Sequence, residues 1–203
     1  MKKRIFFAGM AALMLVLTPA LHAEVSTGER APDFSLPDLD GKTQSLVAQQ
    51  GKYVVLEWIN PDCPFVKKHY DTGNMQDLQS EFTERGVIWF SIASSAPGKQ
   101  GNYSAQEWRQ IVTDQGIAST DVLLDPKGMV GHLYGAQTTP HMFVIDPDGM
   151  VIYQGAIDDT PSTEAADVET ATNYVSQALE EAMDGEPVSV PSTKSYGCSV
   201  KYE

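Results

Sequence analysis

Short apolar runs alternate with amphipathic stretches along the chain and predict an α/β fold. Residues 53–59 and 87–93 are rich in β-branched and aromatic side chains, as in strands that are buried on both faces. Residues 122–124 form a third, shorter run. Residues 141–145 and 150–155 are two apolar runs joined by an Asp-Pro-Asp-Gly turn, which predicts a hairpin near the end of the sheet.

Helical patterns fill the intervals between these runs. A helix is predicted over residues 64–85, with an interruption at Thr72-Gly73-Asn74, and a short one over residues 127–134. Another begins near Ser104, whose hydroxyl is placed to form a capping box with Glu107. A last helix is predicted from an apolar stripe made of Val168, Ala171, Val175, Leu179 and Ala182. Strands separated by helices and followed by a hairpin predict a three-layer α/β/α sandwich with a mixed central sheet.

The 203 residues divide into three predicted parts. Residues 1–23 combine a basic start, a short apolar stretch and a small residue before a polar one, which is typical of a secretory signal peptide. The apolar stretch is too short to span a bilayer, where about 20 residues are needed. We therefore expect an exported protein, periplasmic or extracellular, without stable membrane association after cleavage. The domain covers residues 24–185, and residues 186–203 form an extended C-terminal tail.

Charge and cysteine content exclude several classes of protein. The net charge of -13 argues against nucleic-acid binding, which needs clustered lysines and arginines. The acidic pair Asp158-Asp159 is expected on a solvated face. Cys63 and Cys198 are the two cysteines of the sequence, so multi-cysteine zinc and iron–sulfur sites are excluded, and no cofactor is expected. In an exported protein these two thiols meet oxidising conditions in which disulfides persist.

Cys63 follows a predicted strand and precedes a predicted helix that begins at Pro64. The unpaired N–H groups and the dipole at a helix N-terminus stabilise a thiolate, so the pKa of Cys63 should lie below its ordinary value. Lys67, one turn further along, either adds to this field or is simply solvated. The polar flanks of Cys63 indicate that its side chain is presented to solvent. Cys63 is therefore the candidate nucleophile for attack on disulfides or peroxides.

Three motifs resemble those of the thioredoxin-like redoxins. They are residues 31–42 (Ala-Pro-Asp-Phe-Ser-Leu to Asp-Gly-Lys), 58–66 (Trp-Ile-Asn-Pro-Asp-Cys-Pro-Phe-Val) and 139–155 (Thr-Pro-His-Met-Phe-Val-Ile-Asp to Tyr-Gln-Gly). Within that superfamily the chain is similar to the alkyl hydroperoxide reductase/thiol-specific antioxidant branch and to exported thiol-disulfide oxidoreductases. The resemblance implies a thioredoxin-like fold.

The resemblance also implies roles for individual residues. Cys63 falls on the nucleophile of the family. Pro140 falls on the proline that follows a cis peptide bond and faces the active cysteine, and Thr139 before it offers backbone groups to an extended substrate. Glu57 lies six residues before Cys63, where thioredoxins place a buried acid that transfers a proton to or from a second thiol. A solvated edge position is the alternative for Glu57.

Two departures from the family patterns limit which reactions Cys63 is expected to carry out. A dithiol redoxin has a second cysteine three residues after the first, where this chain has Val66. A peroxiredoxin has threonine and proline at the positions that Asn60 and Leu56 occupy here. The local resolving thiol and the peroxide-activating threonine are therefore both missing, and thiol-disulfide exchange or a weaker antioxidant role is favoured.

Cys198 is the candidate substitute for the missing resolving cysteine. It follows Gly197, which permits a close approach of the backbone. Three interpretations stay open: a resolving cysteine for Cys63, a permanent structural disulfide, or an intermolecular or idle thiol. A permanent disulfide would close a loop of about 135 residues and add about 4–5 kcal/mol of stability, but it would silence Cys63.

The sequence thus predicts an exported thiol-disulfide oxidoreductase or antioxidant with Cys63 as nucleophile. Its expected partners are a thiol or disulfide protein or a small-molecule oxidant, together with an external reductant that the sequence does not identify. Two alternatives remain. One is a one-cysteine peroxidase. The other is a non-catalytic copper- or protein-binding module, in which Cys63 would be joined by histidines drawn from His69, His132 and His141.

Overall fold

The computed structural model describes residues 25–203, so the predicted signal peptide at residues 1–23 lies outside the described part. In chain order the strands are β1 (Ser35–Pro37), β2 (Thr43–Ser45), β3 (Val54–Trp58), β4 (Ile88–Ala93), β5 (Asp121–Leu124), β6 (Thr138–Thr139), β7 (His141–Ile145), β8 (Val151–Gly155) and β9 (Cys198–Ser199). The α-helices are α1 (Pro64–Asp71), α2 (Asn74–Glu84), α3 (Ala105–Gln115), α4 (Met129–Tyr134) and α5 (Tyr174–Met183). Short 3₁₀ helices cover Val47–Gln49 and Ala165–Glu169.

A five-stranded mixed sheet forms the middle layer, in the order β5-β4-β3-β7-β8. Strands β3, β4 and β5 run parallel, as expected for strands connected through helices. Strand β7 is antiparallel to β3, and β8 is antiparallel to β7, because a hairpin joins β7 and β8. The predicted α/β class with a mixed central sheet is confirmed.

The two faces of the sheet bury separate apolar cores, since alternate residues of a strand point to opposite faces. In β3, Val55 packs into the core beneath α1, α2 and α5. Val54, Leu56 and Trp58 pack into the opposite core, beneath α4 and the N-terminal β1–β2 hairpin. Burial of each such side chain contributes about 1.5–3 kcal/mol. The continuous apolar run in this central strand therefore reflects burial on both faces.

Local sequence signals set where several helices begin and end. The predicted interruption after α1 is confirmed: the chain leaves the helix at Thr72, and Gly73 has a φ of 81°, a left-handed conformation that glycine adopts readily. The predicted capping box is also confirmed, with the Ser104 hydroxyl accepting from the Glu107 N–H and the Glu107 carboxylate accepting from the Ser104 N–H.

The predicted extent of the last helix is wrong. Val168 belongs to a short 3₁₀ helix and Ala171 to a bend before α5, so α5 includes only the last three residues of the apolar stripe, Val175, Leu179 and Ala182. Hydrogen bonds from the Thr172 N–H to the Asp159 carboxylate and from the Asp159 N–H to the Thr172 carbonyl hold this part of the chain against a loop. Asn173 then caps the new helix by accepting from the Ser176 N–H.

The C-terminal tail, residues 186–203, is extended and packs along the body of the domain. Its first part exchanges backbone hydrogen bonds with Gln154 at β8, and β9 pairs antiparallel with β6. Beyond β9, the Val200 N–H donates to the Gln137 carbonyl, and the Lys201 carbonyl accepts from the Ala96 N–H. Among residues 25–203, no helix has both the length and the apolar character needed to cross a membrane.

Candidate active site

Cys63 lies at the carboxyl end of β3 and is the N-cap of α1. A tight turn delivers it there: the Cys63 N–H donates to the Asn60 carbonyl, and the Asp62 N–H donates to the Asn60 side-chain oxygen. Pro64 occupies the first turn of the helix, where its missing N–H costs nothing. The Cys63 sulfur therefore stands beside the unpaired N–H groups at the start of α1, as predicted, and Lys67 on the next turn is exposed.

The residue before Pro140 contacts Cys63 directly. The Thr139–Pro140 peptide bond is cis. The Cys63 thiol donates to the Thr139 carbonyl, with 3.1 Å between sulfur and oxygen. Thr139 is thus brought to the cysteine, and Pro140 follows it across the cis bond. Their role in substrate binding stays a prediction.

Cys198 lies at the same site as Cys63 and Thr139, although it is 135 positions after Cys63 in the chain. In the β6–β9 pair its register partner is Thr139, the residue that contacts the Cys63 thiol. Gly197 makes this approach possible. A Cβ atom on residue 197 would lie 2.1 Å from the Thr139 carbonyl oxygen, so no larger residue fits without moving the backbone. Both cysteines are free thiols.

The two thiols have opposite pKa shifts. Burial raises the pKa of Cys63. Hydrogen bonds from the Cys198 thiol, the Thr139 side chain and the backbone N–H groups of Cys198 and Val66 to the Cys63 sulfur outweigh burial and hold that pKa below its ordinary value. Burial and the hydrogen bond with Cys63 raise the pKa of Cys198 to about 11. The first proton lost by the pair therefore comes from Cys63, and Cys198 keeps its own.

The expectation that Cys63 is presented to solvent is wrong. Its side chain is fully buried, whereas Cys198 is half-buried. The reason is tertiary: Cys198 and Tyr196 of the tail pack against the apolar core of which Cys63 is part. The polar residues near Cys63 are also engaged within the protein: Asn60 is buried and accepts from the Asp62 N–H, and the Asp62 carboxylate accepts from the Tyr103 hydroxyl.

Glu57 lies in the middle of β3 and is fully buried, so the solvated alternative is excluded. Its carboxylate accepts from four donors, which are the Tyr70 hydroxyl (2.9 Å), the Gln79 amide (3.0 Å), the Trp89 indole N–H (2.9 Å) and the Ser91 hydroxyl (3.0 Å). Burial raises the pKa of Glu57, and the four donors oppose that shift. Neither cysteine is among the hydrogen-bond partners described for Glu57, so a role in proton transfer stays a prediction.

The histidines named for a copper site are engaged elsewhere. The His69 Nε2 lies 3.3 Å from the Tyr196 hydroxyl, the His132 ring stacks on Tyr202, and the His141 Nδ1 accepts from the Gln137 N–H. Within the described residues, no three histidine, cysteine, aspartate or glutamate side chains come together in a group suited to a metal ion.

One cluster at this site was not predicted from the sequence. Asp158, expected on a solvated face, is buried and contacts Lys68 and Tyr196. The available signal in the sequence was the placement of Phe65, Lys68 and His69 on one face of α1. Their partners come from the segment after β8 and from the tail, and no local pattern links these segments to that helix.

Comparisons with known proteins agree with the fold. An uncharacterized conserved protein from Geobacillus kaustophilus superposes with a TM-score of 0.76 and 25% identity, over 87% of this chain and 92% of that one. The thioredoxin domain of a thiol-disulfide oxidoreductase from Bacteroides vulgatus superposes with a TM-score of 0.52 and 20% identity, over 72% and 98% of the two chains. The predicted thioredoxin-like fold is thus confirmed.

Sequence comparison identifies the class. The thiol-disulfide oxidoreductase ResA of Geobacillus thermodenitrificans is 26% identical over 127 residues, which are 63% of this chain and 67% of that protein. The protein is a thiol-dependent oxidoreductase with a thioredoxin-like fold. It belongs to the AhpC/TSA family, which residues 27–154 match.

Proposed function

We propose that the protein is an exported thiol-disulfide oxidoreductase in which Cys63 is the nucleophile and Cys198 is the resolving cysteine. The observation that carries the proposal is the pairing of Cys198 with Thr139, the residue whose carbonyl accepts the hydrogen bond of the Cys63 thiol. This contact supplies the second thiol that Val66 does not provide. It also argues against an idle Cys198.

The proposed reaction has two exchange steps. Once the tail opens and uncovers Cys63, its thiolate attacks one sulfur of a substrate disulfide, forms a mixed disulfide and releases the other sulfur as a thiolate, which takes up a proton. Cys198 then loses its proton and attacks the Cys63 sulfur, which forms the Cys63–Cys198 disulfide and releases the second substrate thiol. The substrate is reduced by two electrons, and the protein dithiol is oxidised by two. An external dithiol reductant restores both thiols.

The pKa shifts support this division of roles. The thiol with the lowered pKa is ionised first and is the better leaving group when the disulfide is reduced. The thiol with the raised pKa stays protonated until the mixed disulfide forms, so it does not compete for the substrate.

Disulfide exchange is favoured over peroxide reduction by the position of Asn60. This residue stands where a peroxiredoxin has its peroxide-activating threonine. Its side chain is buried and used within the loop, accepting from the Asp62 N–H and donating to the Gln100 carbonyl. Asn60 therefore offers an amide that is already hydrogen-bonded, in place of the threonine hydroxyl of a peroxiredoxin.

The test compares single-cysteine variants. With the full mature chain and excess oxidised glutathione, Cys198→Ser should accumulate a glutathione mixed disulfide on Cys63, and Cys63→Ser should form one on Cys198 far more slowly. Wild-type protein should instead form the internal disulfide, readily reduced by dithiothreitol, as peptide mass spectrometry would show. Faster oxidation by hydrogen peroxide than by disulfides, unaffected by Cys198→Ser, would instead establish a one-cysteine peroxidase.

Export is the remaining part of the proposal. It rests on the pattern of residues 1–23, where a basic start and an apolar stretch precede a small residue. Mass measurement of the protein from the exported fraction should find a chain that begins at Glu24. An uncleaved chain that stays inside the cell would contradict this part alone.

A further inference from the structure

Tyr196, two residues before Cys198, is held by side chains that the proposed exchange reaction does not use. We call them the Tyr196 socket, and they are Phe65, Lys68, His69 and Asp158. Three belong to α1, the helix that Cys63 caps, at spacings of three and four residues that place them on one face. The helix that activates Cys63 therefore also holds the tail.

Contacts with one aromatic and one cationic side chain fix the ring of Tyr196. The Phe65 ring meets it edge to face, with 5.8 Å between centroids. The Lys68 Nζ lies 5.6 Å from the centre of the Tyr196 ring, within range of a cation–π interaction. These contacts set the plane of the ring.

A chain of hydrogen bonds fixes its hydroxyl. The Asn74 amide donates to the His69 Nδ1 at 2.9 Å, so the ring proton of the neutral imidazole is on Nε2. That N–H faces the Tyr196 oxygen at 3.3 Å, and the Tyr196 hydroxyl donates to the Asp158 carboxylate. Donor and acceptor are matched at each step, so the hydroxyl has one favoured position.

The buried charges of the socket point to positioning rather than to stability. Lys68 and Asp158 are both buried, with 3.4 Å between Nζ and the carboxylate oxygen. Such a pair repays little more than the cost of removing both charges from water. The pair does fix the position of the Asp158 carboxylate. The Lys68 Nζ also donates to the Thr160 carbonyl, and the Thr160 N–H donates to Asp158. The acceptor of the Tyr196 hydroxyl is thereby held in place.

We infer that Tyr196 and its socket are positioning residues that hold Cys198 against Cys63 and thereby raise the effective concentration of one thiol toward the other. The inference rests on the proposed resolving role of Cys198. Beyond that role, we expect the distance between the two thiols to depend on the Tyr196 socket, which lies outside the β6–β9 pair. Without that anchor, the two-residue strand β9 has to compete with open conformations of the tail.

The test measures the equilibrium constant of the Cys63–Cys198 disulfide against glutathione in the full mature chain. Loss of the hydroxyl in Tyr196→Phe should lower the constant about tenfold, and loss of the ring in Tyr196→Ala about 100-fold. Asp158→Asn should shift it in the same direction. The matched control is Tyr53→Phe, which removes the hydroxyl that donates to the Ala182 carbonyl at 2.8 Å, away from the site. It should leave the constant unchanged.

A second readout does not need the disulfide. Alkylation of Cys63 in the reduced native protein, followed by peptide mass spectrometry, should be several-fold faster in Tyr196→Phe and unchanged in Tyr53→Phe. Wild-type values for Tyr196→Phe in both measurements would overturn the inference. If the wild-type protein formed no internal disulfide, the resolving role would fail, and the alkylation rate alone would decide whether Tyr196 positions the tail.

Discussion

Gly197→Ala should separate Cys198 from Cys63 without changing either thiol. The new Cβ would lie 2.1 Å from the Thr139 carbonyl oxygen and 2.8 Å from its carbon, and the φ of residue 197 is 131°. Ordinary contact needs 3.4–4 Å between such atoms. The two backbones must therefore move apart by more than 1 Å, which takes the β6–β9 pair out of hydrogen-bonding range.

The size of the effect follows from the interactions lost. Loss of about two backbone hydrogen bonds between β6 and β9, at about 1 kcal/mol each, would weaken docking of the tail by about 2 kcal/mol. Because a factor of ten corresponds to 1.4 kcal/mol, the effective concentration of Cys198 toward Cys63 should fall by about 30-fold. Cys63 should also become accessible, since the tail that buries it is displaced.

Glutathione equilibration and Cys63 alkylation measure both consequences. The control is Gly185→Ala, because Gly185 also has a positive φ, of 82°, but no atom within 4 Å of the added Cβ. This control places an alanine at a positive φ without the clash. Equal disulfide constants and equal alkylation rates in Gly197→Ala and Gly185→Ala would refute the proposed close approach of the tail.

Two further predictions concern the buried titratable groups. Glu57→Gln places an amide N–H₂ against donors such as Gln79 and Trp89, so the free energy of unfolding should fall by about 2–4 kcal/mol. Urea titrations measure this change, and a loss below about 1 kcal/mol would contradict the observed hydrogen bonds. Burial lowers the pKa of His141 from 6.5 to about 4. The contribution of neutral His141 to the free energy of unfolding is present above pH 6.5 and is lost as the pH falls toward 4. At pH 5 the free energy of unfolding should be about 2 kcal/mol lower than above pH 6.5. His141→Asn, whose side-chain oxygen can accept from the Gln137 N–H in place of Nδ1, should flatten this slope in the free energy of unfolding, and an unchanged slope would contradict the assignment.

Secondary structure was predictable wherever the signal lay within one turn or one strand. The break at Gly73 and the capping box at Ser104 are examples, because each depends on residues no more than three positions apart. The last helix shows the limit. Its stripe continues to Val168, but pairing of Thr172 with the Asp159 loop is stronger than the helical preference. Nothing near Thr172 in the sequence reports on that loop.

Burial of polar groups was less predictable than their presence. The sequence identified Glu57 as a carboxylate in an apolar strand, but its four donors come from α1, α2 and β4. Asp158 resembled a surface acid because an exposed acid, Asp159, follows it. Whether a carboxylate is solvated depends on what packs over it, and in both cases that chain segment is distant in sequence.

The sequence by itself determined the order of the helices and of the five strands of the central sheet, the position of Cys63 at a strand-to-helix junction, and the absence of a local second cysteine. These features depend on residue periodicity and on neighbouring residues, which operate before the chain is compact. Only the tertiary structure decided that Cys63 is covered, that Cys198 is its neighbour and that Tyr196 is held by α1. Those contacts join residues more than 100 positions apart, and their formation depends on packing of the tail against a sheet that the rest of the chain must first complete.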